Sequence, residues 1–315
     1  MGAFWHAVSV FFQHLADVKW TALGLALACH GIKLLFRARA WQTIVRASYP
    51  DTRLKYRSAV GAYTAGVGVN SIVPARGGDL VKLYLVKHRM PEATYPTLSS
   101  TLVVETLFDF FVAGGLLIWA LSIGVLPTHQ VYSRLPSVDW TFFLRHERGT
   151  AEVLVVVLIA AVIGFLWARV HIERFWARVR QGFAILRDPR RFLVGVIAPQ
   201  AISWIFRLAS LFFFLKAFGV HASVHNALLA QVVDSLATLF PATPGGAGTK
   251  QGLIVYLFRG QAISRALLLA FSVGMNIAVT VANLLLGLVS IGLMARTLSF
   301  KQLRQRSRQE QEQAA

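Results

Sequence analysis

The chain has 315 residues, of which 56% are of hydrophobic type and only 15% are Asp, Glu, Lys or Arg. Soluble domains contain about 25% charged residues, so this composition, with a mean hydropathy of +0.56, excludes an ordinary soluble enzyme. The net charge is +18, and the basic residues stand in short clusters between long apolar runs, which is typical of cytoplasmic loops and anionic-lipid contacts. The single cysteine excludes an internal disulfide framework and a cysteine pair for zinc or redox chemistry.

The N-terminal residues differ in composition from the long apolar segments that follow them. Residues 1–19 are aromatic but interrupted by polar side chains, which indicates an interfacial amphipathic helix, with an extra membrane span as the alternative. Five later segments are long enough to cross a hydrocarbon core, which needs about 20 apolar residues. These predicted spans are residues 18–36, 97–124, 151–168, 192–218 and 266–295.

Two shorter apolar stretches each run into a cluster of Pro and Gly. Residues 57–73 lead into VPARGGD, and residues 226–240 lead into PATPGGAGT. Broken backbone at membrane depth is tolerated only where protein or water satisfies its amides, so each cluster predicts a broken helix or a re-entrant hairpin. A buried turn is the alternative. We therefore expect an all-α polytopic membrane protein with about five full spans and two re-entrant or broken-helix hairpins.

The positive charges predict how the chain is oriented. When both ends of each hairpin lie on one side, 22 of the 32 Lys and Arg residues fall on a single side. This bias predicts an inner or plasma membrane protein with its N-terminus outside and its C-terminus in the cytoplasm. We expect one transmembrane domain over residues 1–296, followed by a basic cytoplasmic tail over residues 297–315.

The same topology predicts an inverted repeat. Residues 57–124 and 226–295 each consist of a hairpin and a long span, and the two units begin on opposite sides of the membrane. Paired segments interrupted by Gly and Pro are typical of a transporter site near the bilayer midplane. A coincidence between two hydrophobic segments is the alternative.

Ionisable residues inside the apolar spans are the first candidates for function, because each costs about 2.5–3.5 kcal/mol at the centre of a membrane helix. Glu105 and Asp109 lie four residues apart on one helix face. Arg207 lies deep in a span, and Asp234 precedes the second Pro/Gly cluster. We expect Arg207 to pair with one of these carboxylates, which leaves the others to titrate or to meet a substrate cation. A clamp that only holds helices together is the alternative.

The first hairpin carries candidates for an anion site. Arg76 and the glycines after it lead into a predicted helix N-terminus, where backbone amides and the helix dipole favour phosphate or carboxylate. Asn70, Asp79 and Lys82 belong to the same hairpin. Asp79 and Lys82 lie three residues apart, and an ion pair between them is the alternative.

The second hairpin contains the glycine-rich segment PATPGGAGTKQG. It resembles a phosphate loop in composition, but it lacks the GxxxxGK[ST] spacing and no strand precedes it, so nucleotide binding is not expected. Pro244, Gly245, Gly246 and Lys250 are instead candidates for contact with a lipid headgroup. A plain turn is the alternative.

Other polar residues receive structural or surface roles. We assign structural roles to His30 and Lys33 in the first span, and we expect Lys33 to extend toward the cytoplasmic end. Residues 37–57 and 169–191 alternate Arg with apolar side chains, which predicts basic amphipathic surfaces on anionic lipid rather than nucleic-acid binding. Neither metal-ligand clusters nor Ser/His/Asp spacing appears, so we predict no metal, no cofactor and no catalytic residue.

Four sequence blocks resemble a known family. The likeness is to flippase-like integral membrane proteins related to the transmembrane part of lysylphosphatidylglycerol synthase, and it extends over nearly the whole chain. It implies lipid handling without synthesis, because in the larger synthases a separate soluble domain makes the aminoacyl-lipid that the membrane part moves. Thr106 and Gln251 depart from the family pattern, which has Arg and Glu at those positions. The blocks are NSIVPARGGDLVKLYLV (70–86), VVETLFDFF (103–111), SWIFRLASLFFFLKAFGV (203–220) and LFPATPGGAGTKQGLIVYLF (239–258).

We therefore predict a protein that binds an anionic or amphiphilic lipid and moves it between leaflets through a polar groove between the inverted units. The three carboxylates in or near the spans would balance the cations or take up protons. Without a nucleotide motif, movement would be passive or coupled to protons or membrane potential. The alternatives are a non-transporting accessory subunit of lipid or cell-envelope biosynthesis and an intramembrane lipid-modifying enzyme; a second copy or lipid-biosynthesis enzymes are the candidate protein partners. The cations expected to meet the headgroup phosphate are Arg76, Lys82, Arg207 and Lys250.

Overall fold

The structure is a computed structural model that describes residues 17–73, 76–124, 175–239, 249–259, 261 and 263–313. These residues are mostly helical, and they contain no strand. A short helical segment at residues 175–182 and a 3₁₀ turn at Ala184–Arg187 precede the fifth long element. The helices are α1 (Trp20–Ser48), α2 (Tyr56–Asn70), α3 (Gly77–Arg89), α4 (Tyr95–Ser122), α5 (Pro189–Ala217), α6 (Val224–Leu239), α7 (Thr249–Leu257) and α8 (Arg265–Gln313).

Four helices are long and apolar enough to cross a membrane: α1, α4, α5 and the Arg265–Met294 part of α8. Their positions agree with four of the predicted spans, at residues 18–36, 97–124, 192–218 and 266–295. The fifth predicted span, residues 151–168, lies outside the described residues. The described part of the chain is thus helical, and its four long apolar helices indicate a multi-pass membrane protein. Its α1 runs past the predicted end to Ser48, and the backbone of α8 remains helical through most of the predicted tail.

Helices α2 and α3 pack together as an antiparallel hairpin. A Cβ placed on Gly66 of α2 would lie 2.8 Å from the Gly78 carbonyl oxygen of α3, and the Gly78 amide donates to Asn70 Oδ1 at 2.7 Å. The helices have 15 and 13 residues, so each rises about 20 Å. A hydrocarbon core is about 30 Å thick, and neither helix is long enough to cross it alone.

Helices α6 and α7 form a second antiparallel pair. Asn226, near the start of α6, exchanges hydrogen bonds of 3.2 and 2.8 Å with Gln261, beyond the end of α7. Asp234, farther along α6, binds Lys250 at the start of α7. The connecting residues 240–248 lie outside the described part of the chain.

Helices α1 and α5 run antiparallel along most of their lengths. The Lys19 amide donates to the Ala217 carbonyl at 2.9 Å, and Ser210 Oγ donates to the Ala26 carbonyl at 2.8 Å. Farther along, a π-helical turn of α5 (Leu193–Ile197) packs beside α1. This long contact forms a two-helix spine on which the two hairpins rest.

Small residues let α2 and α8 approach closely. A Cβ on Gly68 would lie 2.8 Å from the Gly287 Cα, and a Cβ on Gly287 would lie 2.9 Å from the Gly68 Cα. One turn away, the hydroxyls of Thr64 and Ser290 share a hydrogen bond of 2.7 Å. Contacts of this type are characteristic of helix packing in membranes, where backbones touch through Gly, Ser and Thr.

The buried apolar side chains form two main clusters on the spine. The N-terminal half of α1 packs with α5, α6, α7 and α8 around Phe214, Phe258 and Phe271. The C-terminal half packs with α2 and α3 around Trp41 and Leu83. Polar residues of α1 lie between these two apolar clusters, and this arrangement places the candidate site near the middle of the helix bundle.

Candidate functional site

Five polar side chains from the first four helices form one connected group, the Glu105 network. Arg37 donates to the two Asp109 oxygens at 3.0 and 2.6 Å and to Glu105 Oε1 at 3.3 Å. Lys82 Nζ donates to Glu105 Oε2 at 2.7 Å. The Tyr63 hydroxyl accepts from Arg37 Nε at 2.6 Å and donates to Glu105 Oε1 at 2.7 Å. The network therefore ties α1, α2, α3 and α4 to a single carboxylate.

Aromatic rings enclose the network. Lys82 Nζ lies 4.0 Å from the Trp41 ring centroid and 4.1 Å from that of Tyr63, which are cation–π distances. Trp204 of α5 donates its indole N–H to Asp109 Oδ1 at 2.9 Å. Lys82 and Glu105 are only 5% and 4% exposed, so this ion pair is screened from water. With two cations and two carboxylates, the network has no net charge.

A second group, the Asp234 trio, joins α5, α6 and α7. Arg207 binds Asp234 Oδ2 at 2.7 Å, and Lys250 binds Oδ1 at 2.5 Å. The Arg207 guanidinium also lies 4.8 Å from the centre of the Trp204 ring, and this tryptophan links the trio to the Glu105 network. The trio holds two cations and one carboxylate, so it carries one net positive charge.

Two residues of α1 lie between the groups. Lys33 Nζ donates to His30 Nδ1 at 3.2 Å, and with that nitrogen accepting, His30 Nε2 donates to Asn283 Oδ1 of α8 at 2.8 Å. Lys33 thus reaches back along α1 rather than toward the predicted cytoplasmic end. Among the described residues, no carboxylate lies within 4.0 Å of its ammonium group.

A central cavity of about 360 Å³ separates the Glu105 network from the Asp234 trio. Its wall includes Lys33, Arg37, Arg207, Lys250 and Asp234. Side-chain amides from α6 and α8 complete the polar surface. Small-molecule sites have volumes of about 300–1,000 Å³, so this cavity fits a compact polar group.

A lateral cavity of about 440 Å³ lies on the other side of Arg207. Arg76, Trp204 and Phe110 also line it. It adjoins an apolar slot of about 190 Å³ between α4 and α6, and both spaces are bounded by Phe110, Ala113 and Ser235. Polar and apolar spaces are therefore contiguous.

The first hairpin places its polar residues around a smaller space of about 180 Å³ next to the Glu105 network. Asn70 donates to Asp79 Oδ1 at 3.2 Å, whereas Lys82 binds Glu105. The alternative of an ion pair between Asp79 and Lys82 is therefore wrong: one turn of helix separates them, but Lys82 turns to the buried carboxylate. Arg76 precedes α3 with φ of 59°, a left-handed conformation that costs a non-glycine residue about 1–2 kcal/mol.

The structure brings most of the sequence candidates together, while Pro244, Gly245 and Gly246 lie outside the described residues. Arg207 does pair with one of the three carboxylates, Asp234. Sequence reasoning missed Arg37, which it assigned to the basic segment 37–57, and Tyr63. A signal for Arg37 was present, because His30, Lys33 and Arg37 are spaced three and four residues apart on one helix face.

Metal binding receives no support from the part of the chain that the structure describes. Within it, no group of three or more His, Cys, Asp or Glu side chains is placed to hold a metal ion.

Comparison with known proteins assigns the chain to a family. Residues 2–287 match the family model "Lysylphosphatidylglycerol synthase TM region". The chain belongs to this family. The chain is also similar to UPF0104 membrane protein MJ1078 of Methanocaldococcus jannaschii, with 22% identity over 202 residues that cover 61% of this chain and 79% of the relative. No solved structure matches the chain. The resemblance of the four sequence blocks is confirmed.

The Glu105→Gln variant of this TM region protein tests the network. It leaves Lys82 buried without its carboxylate, and removing one member of a buried ion pair costs about 3–5 kcal/mol. We expect the free energy of unfolding to fall by that amount, measured from denaturant or thermal unfolding in detergent. The control is Glu92→Gln, on an exposed turn between α3 and α4, which should change stability by less than about 0.5 kcal/mol.

A double variant separates charge from packing. Lys82→Met with Glu105→Gln removes the uncompensated cation as well, so we expect it to be more stable than Glu105→Gln alone. A double variant no more stable than the single one would contradict the ion pair as the source of the loss.

Proposed function

We propose that this protein binds a lipid with an anionic or amphiphilic headgroup and moves it between the two leaflets of the membrane. The observation that carries the proposal is a pair of positively charged cavities among membrane-spanning helices, adjoined by an apolar slot. Ionisable residues inside membrane proteins characteristically line substrate pathways. The family assignment is consistent with lipid as the substrate class.

The cations of the two cavities are suited to a headgroup phosphate. Arg207 borders both the central and the lateral cavity, so a headgroup passing between them would stay in contact with it. Arg76 faces the lateral cavity, and within the described residues no carboxylate lies within 4.0 Å of its guanidinium. Guanidinium groups bind phosphate through paired hydrogen bonds, which supports Arg76 and Arg207 as headgroup contacts.

The apolar slot distinguishes a lipid from a small water-soluble anion. It is lined by Phe110, Gly114, Leu117 and Leu236, among others, and it opens beside the polar lateral cavity. No atom outside the local backbone lies within 4 Å of a Cβ placed on Gly114. A lipid presents a charged headgroup next to a hydrocarbon chain, and the two adjoining spaces fit those two parts.

We further propose that residues 57–124 and 226–295 are inverted copies whose hairpins re-enter the membrane from opposite sides. Each unit consists of two short helices and a long one, and each follows a long helix that carries an arginine. In both units a lysine of the second short helix binds a carboxylate: Lys82 in α3 binds the buried Glu105, and Lys250 in α7 binds the partly buried Asp234. The positive charge of the connecting segments supports an N-terminus outside and a C-terminus in the cytoplasm of a cell membrane.

Cysteine labelling tests this topology. In a Cys29→Ala background, we expect Ser71→Cys and Thr249→Cys to react with a membrane-impermeant maleimide from opposite faces, because the hairpins open to opposite sides. The maleimide reaches the outer face of the membrane in intact cells and the cytoplasmic face in inverted vesicles. The Cys29→Ala protein without an added cysteine is the control. Labelling of both positions from one face would rule out the inverted arrangement.

Lipid retention tests the headgroup contacts. We expect mass spectrometry of the purified protein to show one lipid class enriched above its share of the membrane. Arg76→Ala and Arg207→Ala should each reduce that enrichment about tenfold, the effect of one charge-assisted hydrogen bond. Arg190→Ala, at an exposed position near the start of α5, removes the same charge and should retain the lipid. Bulk-like lipid in every sample would contradict the proposal and favour an accessory subunit.

Leaflet transfer in proteoliposomes tests the apolar slot. Gly114→Leu should fill the apolar slot beside α4. We expect the transfer of a headgroup-labelled lipid to slow several-fold, because the acyl chain of the lipid can no longer enter the slot. Gly115→Leu is the matched control, since Gly115 is the exposed neighbour on the same helix and is not part of the slot. Equal transfer rates in the two variants would show that the slot does not take part.

A further inference from the structure

We propose that the central cavity selects a doubly charged phosphate group, carried as the terminal phosphomonoester or diphosphate of a lipid, over headgroups that carry an ammonium group. This inference rests on the proposed lipid function and goes further by naming the chemistry of the headgroup. It is carried by the charge balance of the cavity, by the state of its carboxylates and by one unpaired amide.

Among the described residues that line the central cavity and are not paired within the Glu105 network, the formal charges sum to plus two when each Lys and Arg is protonated. Lys33, Arg207 and Lys250 face the cavity together with a single carboxylate, Asp234. Arg37 also borders it, but its charge is matched within the Glu105 network. A buried charge requires a nearby counter-charge, and here two are missing. A doubly charged phosphate supplies both, whereas a phosphodiester supplies one.

The carboxylates near the cavity are already occupied. Asp234 Oδ2 accepts from Arg207, and Oδ1 binds Lys250. In the neighbouring network, each oxygen of Glu105 and Asp109 accepts a hydrogen bond from Arg37, Lys82, Tyr63 or Trp204. An ammonium group in the cavity would meet like charges without an available carboxylate, and like-charge contact disfavours binding.

One buried amide points to a missing ligand. Gln231 of α6 is 0% exposed and lines the central cavity. Its Nε2 donates to Ser235 Oγ at 3.1 Å, whereas its Oε1 has no hydrogen-bond partner among the described residues. Rotating the amide group by 180° exchanges its oxygen and its nitrogen. In that orientation the NH₂ group faces the cavity and can donate a hydrogen bond to a phosphate oxygen. Buried polar groups are nearly always paired, and a bound phosphate would complete the pairing of Gln231.

The cavity also contains the residue on which the selection depends. Lys33 is held by the neutral ring of His30, at 3.2 Å, and by no described carboxylate within 4.0 Å. Its removal therefore breaks no ion pair, unlike the removal of Arg207 or Lys250. Lys33→Gln lowers the positive charge of the cavity by one with little change in side-chain volume.

The test is a binding titration of delipidated protein in detergent, read by native mass spectrometry. The probes have identical acyl chains: phosphatidic acid, phosphatidylglycerol, phosphatidylcholine and lysylphosphatidylglycerol. At about pH 8 a phosphomonoester, with a second pKa near 6, is doubly charged. We expect phosphatidic acid to bind at least about tenfold more tightly than phosphatidylglycerol, and lysylphosphatidylglycerol to bind no more tightly than phosphatidylcholine.

Matched variants locate the selection. Lys33→Gln should bring the affinity for phosphatidic acid down to that for phosphatidylglycerol, and Lys33→Arg should restore the difference. Lys216→Gln, which removes an exposed lysine at the end of α5, should leave both affinities unchanged. Thermal unfolding of each variant checks that the fold is retained. If Lys33→Gln kept the full preference for phosphatidic acid, the central cavity would not be its source, and the proposal would fail.

The remaining outcomes separate this inference from the proposed function. Absence of binding by all four lipids would contradict both. Equal binding of the two anionic lipids, or tighter binding of lysylphosphatidylglycerol, would overturn the headgroup assignment and leave lipid binding intact. A competition arm uses inorganic phosphate: displacement of phosphatidic acid at an equal concentration would assign the cavity to free phosphate and overturn the lipid assignment.

Discussion

The cost of placing a charge among membrane-spanning helices is the constraint on which this structure depends. Glu105 shows how the chain meets it, because the carboxylate is nearly inaccessible yet receives hydrogen bonds from three other helices. Leaving one of these groups unpaired costs several kcal/mol, so α1, α2 and α3 must converge on α4. The short hairpin of α2 and α3 is held inside the bundle by this convergence as well as by the close contact of α2 with α8 at Gly68 and Gly287.

The same constraint explains what the cations are able to do. In the Glu105 network two carboxylates match two cations. With the hydrogen bonds from Tyr63 and Trp204, every carboxylate oxygen of the network accepts at least one hydrogen bond. This group is suited to fixing helices in place. In the Asp234 trio one carboxylate serves two cations, and Lys33 lies nearby, where the neutral His30 ring is its hydrogen-bond partner within the described part of the chain. The proposed anion site therefore lies on the side of the cavity that has fewer carboxylates than cations.

The parts of this architecture that are visible in the sequence are local. Spans follow from apolar runs, and Glu105, Asp109 and Arg207 are conspicuous because charges are rare in such runs. Pairing is tertiary: Arg37 binds Asp109 across 72 positions, and no spacing rule covers that separation. Arg37 was placed in a basic cytoplasmic segment because composition marks the end of an apolar run, whereas α1 continues to Ser48. The ion pair between Asp79 and Lys82 does not form for a related reason, because the buried Glu105 carboxylate binds the lysine instead.

The Glu105 network and the Asp234 trio differ by one charge, and in the proposed function this difference would give the bundle a direction for anions. Each unit contributes a lysine on its second short helix and faces an arginine on the preceding long helix, but the Glu105 network holds two carboxylates and the Asp234 trio holds one. If the units are inverted copies, their pseudo-symmetry is broken in the place where a headgroup would sit. An anion that entered beside Arg76 would move toward greater positive charge as it passed Arg207 to reach Lys33 and Lys250. In the proposed function, having one carboxylate fewer in the Asp234 trio than in the Glu105 network would make the trio an anion site rather than a helix clamp.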